Sequence, residues 1–350
     1  MTDTAVRRRD FQRRLFPDGI PRLWCPLLTH YRSDGSIDLE RMGRHLDYII
    51  PWVKGFLIPG STGDGWELDD GETLSVARFA IRKARTHKAS LLLGVLKGDT
   101  GTMERTVSDL LALIEGETGI PGEKTADALK AAGVCGFTVC PPRGKTLTQA
   151  DIEAGLSRIL DRGLPTALYQ LPQVTENEAL PETFERLVLK YSNLIFFKDS
   201  SGRDGVALSR VDKGGVFLVR GAEGEYARWL WDSGGPYDGF LLSTANGFPR
   251  EIRTIIERLE EGDFEKAREI SDRITRAVND VFSLVQPLPC GNAFTNANKA
   301  FDHFFAFGPK AAAVEGPLLH AKVRIPSDIV AAAGDILSRC GLMPDKGYLE

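Results

Sequence analysis

The chain has 350 residues, of which 42% are hydrophobic and 26% charged, so it can bury a large core and does not resemble a disordered protein. Its 44 lysines and arginines and 48 aspartates and glutamates are mixed along the sequence and give a net charge of −4. This pattern argues against a basic face of the kind that binds nucleic acid. A small molecule is the expected partner.

The cysteines indicate a reducing compartment, because they are odd in number, scattered and without C-x-x-C spacing, which argues against a disulfide framework and a structural zinc site. They are Cys25, Cys135, Cys140, Cys290 and Cys340. No apolar run approaches the length of a membrane span, and the first residues lack a hydrophobic signal core. We therefore expect a cytoplasmic protein without membrane contact.

The N-terminus is locally basic, with five arginines between positions 7 and 14. Such a run is typical of a transit peptide or a phosphate-binding arm, but Asp3 and Asp10 weaken the transit-peptide interpretation. We expect residues 1–20 to form an N-terminal extension, either as a solvated helix or as an arm that contacts another subunit.

Eight short apolar runs alternate with helical segments between residues 21 and 248. The runs do not alternate in polarity, which is typical of strands buried on both faces of a parallel sheet. The pattern predicts an α/β fold, a (β/α)8 TIM barrel over residues 21–248, with an open doubly wound sheet as second choice. The runs are Leu23–Leu28, Gly55–Pro59, Leu91–Leu96, Gly136–Cys140, Pro165–Pro172, Leu194–Phe197, Val216–Val219 and Gly239–Leu242.

Start signals mark several of the intervening helices. Asp69 and Glu72 can form a capping box, Thr148 precedes an apolar helical stripe, and Pro181 suits a first helical position. The stretch from Gly116 to Lys124 is predicted to be a surface loop. Residues 249–350 show helical periodicity only, and we expect a C-terminal helical region that packs beside the barrel or against a second subunit.

Lys198 directly follows the apolar run of the sixth predicted strand. In a barrel of this kind the active-site residues lie at the carboxyl ends of the strands. Burial lowers the pKa of an ammonium group, so a lysine here can present a free amine to a ketone. The alternative is a lysine that leaves the sheet and extends into solvent.

Two more strand ends carry polar groups. The second strand ends in Gly60-Ser61-Thr62-Gly63-Asp64, whose glycines permit a tight turn and whose hydroxyls and amides can hold a carboxylate, although the same residues also make ordinary turns. The fifth strand ends in Tyr169-Gln170-Leu171-Pro172. The phenol can pass protons to another hydroxyl or an imine, or it can be a core tyrosine bonded to the backbone.

These three motifs, in this order and at these strand ends, resemble the dihydrodipicolinate synthase / N-acetylneuraminate lyase family. The family's G-[ST]-T-G-[ED], Y-x-x-P and K-[DEQ]-x-[ST]-G elements are all present, and the resemblance runs from about Leu23 to at least Phe248. The C-terminal helices also fit the family's layout. The segment from Cys290 to Lys299 has no role that the sequence reveals.

The resemblance implies that Lys198 forms a Schiff base with the ketone of pyruvate or another 2-oxo acid, and that Tyr169 relays protons. Ser61 and Thr62, between Gly60 and Gly63, match the positions that hold the acid's carboxylate, and Ser61 is also expected to act in catalysis by coupling to Tyr169. A protonated imine is an electron sink, so neither a metal nor another cofactor is required. Because the family often forms tetramers, we expect a homo-oligomer, either a tetramer or a dimer.

The chain departs from the usual dihydrodipicolinate synthases at two places. Residues 139–143 replace a tyrosine pair after the fourth strand, and Gln173-Val174-Thr175 replaces an arginine that binds the aldehyde substrate's carboxylate. Ser243-Thr244-Ala245-Asn246 looks closer to the sialic-acid lyase pattern. Glu223 falls where that branch has an acidic group for sugar hydroxyls, so Glu223 and Ser243 are predicted to bind substrate.

The sequence therefore favours a class I aldolase or dehydratase that acts on pyruvate-derived or 2-keto-3-deoxy sugar-type 2-oxo acids. The alternatives are 4-hydroxy-tetrahydrodipicolinate synthase activity and a barrel that binds 2-oxo acids without turnover. A metal-dependent aldolase is disfavoured, because none of the five histidines lies in an H-x-H or H-x-x-x-H pair.

Overall fold

The computed structural model describes residues 2–350, in which eight parallel strands close into a barrel. Each strand pairs with the next, and β1 pairs with β8, so the sheet has no free edge. The predicted (β/α)8 barrel is confirmed and the doubly wound alternative is wrong. The strands are β1 Leu23–Cys25, β2 Gly55–Ile58, β3 Ser90–Val95, β4 Val134–Val139, β5 Thr166–Gln170, β6 Leu194–Asp199, β7 Phe217–Arg220 and β8 Gly239–Leu241.

Helices surround the barrel and continue alone after β8. The β7 to β8 connection contains only 3-10 turns, and the β6 to β7 connection has a single short helix. The helices are α1 Asp3–Leu15, α2 Leu39–Ile49, α3 Asp70–His87, α4 Thr100–Thr118, α5 Thr125–Ala132, α6 Gln149–Leu160, α7 Pro172–Thr175, α8 Pro181–Lys190, α9 Gly205–Leu208, α10 Pro249–Glu260, α11 Phe264–Val285, α12 Ala293–Phe307 and α13 Ser327–Arg339. Among residues 2–350, none of them combines the length and apolarity needed to cross a bilayer.

The predicted helix starts follow local hydrogen bonds. The capping box of Asp69 and Glu72 opens α3, Thr148 caps α6, and Pro181 begins α8. The predicted loop at residues 116–124 is partly wrong, because α4 continues to Thr118. That helix ends where Gly119 adopts φ +68°, a left-handed conformation that glycine reaches without steric cost.

The lower part of the barrel interior is filled by apolar side chains. Trp24 of β1 and Phe196 of β6 meet edge to face with ring centroids 5.2 Å apart, although their strands are not neighbours. Phe16 from the N-terminal extension packs on the same Trp24 ring. Because side chains alternate along a strand, Lys198 points to the same side of β6 as Phe196 and stands above this floor.

The solvated-helix expectation for the N-terminus is wrong for Arg8, which is fully buried under the barrel. Its guanidinium donates to the backbone carbonyls of Leu194 in β6, of Gly214, and of Val188 and Tyr191 around the end of α8. Burial lowers the pKa of Arg8 to about 10. The extension therefore holds, by hydrogen bonding, the start of the strand that carries Lys198.

Replacing Arg8 with methionine removes the guanidinium hydrogen bonds to these buried carbonyls, and we expect the free energy of unfolding to fall by about 3 kcal/mol. Urea denaturation of the purified variant measures this change. Arg7→Met is the matched control, because Arg7 lies on the exposed face of α1 and pairs only with exposed Asp3. The control is expected to change stability by less than about 0.5 kcal/mol, and equal effects of the two variants would contradict the buried role.

Candidate active site

Lys198 lies inside the barrel, so the alternative in which it extends into solvent is wrong. Only 3% of the residue is exposed. Tyr169 is its partner in the β5 to β6 register, and the lysine Nζ lies 3.9 Å from the centroid of the tyrosine ring. A buried ammonium above an aromatic face is partly stabilised by the ring but is desolvated on every side.

Burial lowers the pKa of Lys198 to about 7, against weaker opposing effects of Cys140, Glu223 and Cys25. Desolvation prevails because no carboxylate forms an ion pair with Nζ within residues 2–350. Near neutral pH the free amine is therefore far more populated than in an ordinary exposed lysine. That amine is the form that attacks a carbonyl carbon.

Room for the Lys198 side chain comes from Gly221, which directly follows β7. A Cβ atom at this position would lie 2.7 Å from Lys198 Cε and 2.2 Å from Ser200 Oγ. Any other residue here would push the lysine away from its present position. The sequence offered no signal for this requirement, because it arises between two neighbouring strands.

Tyr169 is buried beside two hydroxyl groups. Burial raises the pKa of the phenol, while the hydroxyls of Ser200 and Ser61 lower it. The phenol therefore stays protonated near neutral pH and can donate or relay a proton through these hydroxyls. Ser61 was predicted from the sequence to couple to Tyr169, whereas Ser200 was not.

The Gly60–Asp64 loop presents two free backbone donors. Within residues 2–350, the N–H groups of Ser61 and Thr62 donate to no protein acceptor. Successive backbone amides of this kind form an anion-binding concavity. The flanking glycines serve packing instead, because a Cβ at Gly60 would lie 2.6 Å from the Pro26 side chain and one at Gly63 would lie 2.4 Å from the Leu27 carbonyl oxygen.

A cavity of about 250 Å³ joins these groups at the carboxyl ends of the strands. Five of the predicted site residues line it, namely Ser61, Thr62, Tyr169, Lys198 and Ser243. Gly60, Gly63 and Glu223 are not among its lining residues, so their predicted direct contact with substrate stays a prediction. Lining residues that the sequence analysis missed are Leu171, Gln173, Val174, Ser200, Gly221, Asn292, Ala293 and Phe294.

Glu223 is held by four donors. Its Oε1 accepts hydrogen bonds from Ser243 Oγ at 2.5 Å and from the Thr244 amide at 3.1 Å. Its Oε2 accepts from Thr244 Oγ1 at 2.7 Å and from the Tyr226 hydroxyl at 2.9 Å. These bonds occupy the acceptor positions of the carboxylate, so a sugar hydroxyl would have to replace one of them.

Two histidines that are isolated in sequence meet in the folded chain. His30 Nε2 lies 3.1 Å from His45 Nδ1, and Asp302 is close to both rings, a set whose types and spacing could hold a metal. However, Asp302 already pairs with Arg41 at 3.0 Å and accepts a hydrogen bond from Tyr348 at 2.8 Å. A guanidinium beside the carboxylate disfavours a second cation there.

Comparisons of sequence identify relatives. A model of the dihydrodipicolinate synthetase family matches residues 121–297, just over half of the chain. A 4-hydroxy-tetrahydrodipicolinate synthase of Agrobacterium fabrum is 28% identical over 80% of this chain and 87% of its own length. A 4-hydroxy-tetrahydrodipicolinate synthase of Streptomyces coelicolor is 25% identical over 91% of this chain and 95% of its own.

Solved structures share the fold. YagE, a prophage protein of the dihydrodipicolinic acid synthase family from E. coli K12 solved in complex with pyruvate, superposes with a TM-score of 0.70 at 20% identity, covering 92% of this chain and 99% of YagE. The dihydrodipicolinate synthase of Aquifex aeolicus gives 0.68 at 18% identity, with 93% and 99% covered. With the family match over residues 121–297, the chain belongs to the dihydrodipicolinate synthetase family.

Proposed function

We propose that the protein is a class I, Schiff-base-forming lyase in which Lys198 condenses with pyruvate or a 2-keto-3-deoxy sugar-type 2-oxo acid. Membership of the family supports pyruvate-dependent aldolase or synthase chemistry of the Schiff-base type. The observation that carries the proposal is the buried Lys198 amine beside Tyr169, in one cavity with the amides of Ser61 and Thr62. We propose a dimer or tetramer as the active assembly, which sedimentation velocity would measure.

The first step is attack of the free Lys198 amine on the ketone carbon of the bound acid. The nitrogen forms a bond to carbon and loses one of its two protons. The carbonyl oxygen takes that proton and a second one from Tyr169 and leaves as water, so that an iminium remains. The amides of Ser61 and Thr62 bind the carboxylate that neighbours this carbon. The iminium then accepts the electron pair when a carbon–carbon bond breaks or a proton leaves the adjacent carbon.

Tyr169 supplies and collects the protons of these steps. Its pKa is raised by burial, so the hydroxyl holds a proton that it can give to the departing oxygen. The Ser61 and Ser200 hydroxyls can pass that proton onward. Among the lining side chains at positions 2–350, Lys198 is the one that titrates near neutral pH.

The distal part of the cavity favours hydroxyls over a second carboxylate. Apart from Lys198, the lining residues among positions 2–350 include no cation. The stretch Gln173-Val174-Thr175, where the usual synthases carry an arginine for an acidic aldehyde, is uncharged. Gln173 Nε2 donates to the Ser200 carbonyl at 3.2 Å, which leaves an amide oxygen as acceptor. This supports a polyhydroxylated 2-oxo acid over aspartate semialdehyde, although the names of the relatives favour the synthase as second candidate.

Incubation of the protein with pyruvate and borohydride in the presence of EDTA is expected to reduce one adduct onto Lys198, as located by peptide mass spectrometry. Lys198→Met should form none, because no amine remains in the cavity. An adduct that persists in Lys198→Met, or no adduct with several 2-oxo acids, would overturn the proposal.

A panel of substrates separates the candidate activities. Release of pyruvate or a dehydrated 2-oxo acid from 2-keto-3-deoxy sugar acids supports the proposed lyase. Turnover of pyruvate with aspartate semialdehyde supports the synthase instead. If an adduct forms but no substrate of the panel is converted to product, the result supports a barrel that binds 2-oxo acids without turnover.

The rate of trapping at low pyruvate is expected to rise about tenfold between pH 6 and pH 8 and then to level off, because the free-amine fraction of Lys198 saturates above its pKa of about 7. Glu223→Gln should move the midpoint to lower pH, since Glu223 raises the pKa of Lys198. A trapping rate that keeps rising to pH 10 would indicate an exposed lysine.

Gly221→Ala is expected to reduce adduct formation at least about tenfold, since its new methyl group displaces Lys198. Gly205→Ala is the matched control, because a Cβ there has no atom within 4 Å and the backbone is helical. Trapping and thermal melting should both be unchanged in the control. Wild-type trapping in Gly221→Ala would show that the lysine does not need its present position.

A further inference from the structure

The C-terminal region reaches back to the Gly60–Asp64 loop through a buried ion pair. Lys299 Nζ in α12 lies 3.0 Å from Asp64 Oδ2, and the two side chains are 1% and 3% exposed. The pair joins residues 235 positions apart. Through Lys299, the segment from Cys290 to Lys299, for which the sequence indicated no role, contacts the Gly60–Asp64 loop.

Asp64 adopts an unfavourable backbone conformation that its side-chain contacts support. Its φ of +59° lies in the left-handed region, which costs a non-glycine residue about 1 kcal/mol. The same Oδ2 accepts a hydrogen bond from the Tyr31 hydroxyl at 2.9 Å, and Lys299 also donates to the Leu318 carbonyl at 3.3 Å. The ion pair therefore holds the end of the loop in a geometry that the chain alone disfavours.

The first turn of α12 holds the loop at a second point. Thr295 Oγ1 donates to the carbonyl of Thr62 at 3.1 Å and lies 3.4 Å from that of Ser61, and Asn292 Nδ2 is also 3.4 Å from the Ser61 carbonyl. A peptide group is planar and trans, so fixing the Ser61 carbonyl fixes the direction of the Thr62 N–H. That N–H is one of the two free donors of the loop.

We propose that Lys299 is a positioning residue of the 2-oxo acid site, which acts with Asp64 and Thr295 to orient the Thr62 amide toward the substrate carboxylate. This inference rests on the proposed function. It makes α12 a component of the binding site rather than an appendage of the barrel. A buried ion pair alone is weak evidence for function, so the test separates binding from stability.

The test measures borohydride trapping against pyruvate concentration for Lys299→Met and for Asp64→Asn/Lys299→Met. In both, the half-saturating pyruvate concentration is expected to rise about tenfold or more, while trapping at saturation stays within about twofold of wild type. The double variant removes both charges together, so it should melt at a higher temperature than Lys299→Met, yet bind pyruvate as weakly. Thr295→Val, which keeps the side-chain shape without the hydroxyl, should also raise the half-saturating concentration.

Arg41→Met is the matched control, because it also removes a largely buried cation that pairs with α12. Arg41 in α2 pairs with Asp302 and, within residues 2–350, forms no hydrogen bond or ion pair with the Gly60–Asp64 loop. It should lower the melting temperature and leave the pyruvate dependence unchanged. If the double variant binds pyruvate like the wild type, or if Arg41→Met raises the half-saturating pyruvate concentration as much as Lys299→Met does, the role of Lys299 is overturned. The proposed function would not be affected by either result. Absence of any adduct in the wild type would overturn the proposed function and this role together.

Discussion

The candidate site is built around one buried amine, that of Lys198, which has no carboxylate in contact among residues 2–350. An ammonium in that position loses its hydration, and no carboxylate in the described part of the chain bonds to it in compensation, so the pKa of Lys198 falls to about 7. Exposing the amine, or pairing it with an acid, would return it to the ammonium form. The closed barrel contributes to this burial, because the sheet has no free edge beside β6.

Several distant features maintain that position. The aromatic floor of Trp24 and Phe196 fills the interior below the lysine, and Arg8 fixes the start of β6 from outside the barrel. Gly221 leaves the space into which the side chain extends. Each contact is ordinary packing or hydrogen bonding, but together they determine the position of a single nitrogen atom.

Substrate choice is a separate matter from imine formation. In the proposed reaction the amides of Ser61 and Thr62 bind the carboxylate, a group that every 2-oxo acid carries. The distal end meets Gln173, Ser243 and the first turn of α12, none of which carries a charge. Under the proposed function, the uncharged stretch Gln173-Val174-Thr175 would disfavour a second carboxylate without changing the surroundings of Lys198.

The sequence by itself determined the barrel, the helix starts and the three strand-end motifs, because apolar runs, capping residues and turn glycines act on their immediate neighbours in the chain. Only the tertiary structure decided that Arg8 is buried, that Glu223 is already saturated with donors, and that α12 lines the cavity. It also brought Lys299 to Asp64, 235 positions away. Contacts of this kind depend on how completed elements pack against one another, and no local pattern records which distant residues will share a buried site.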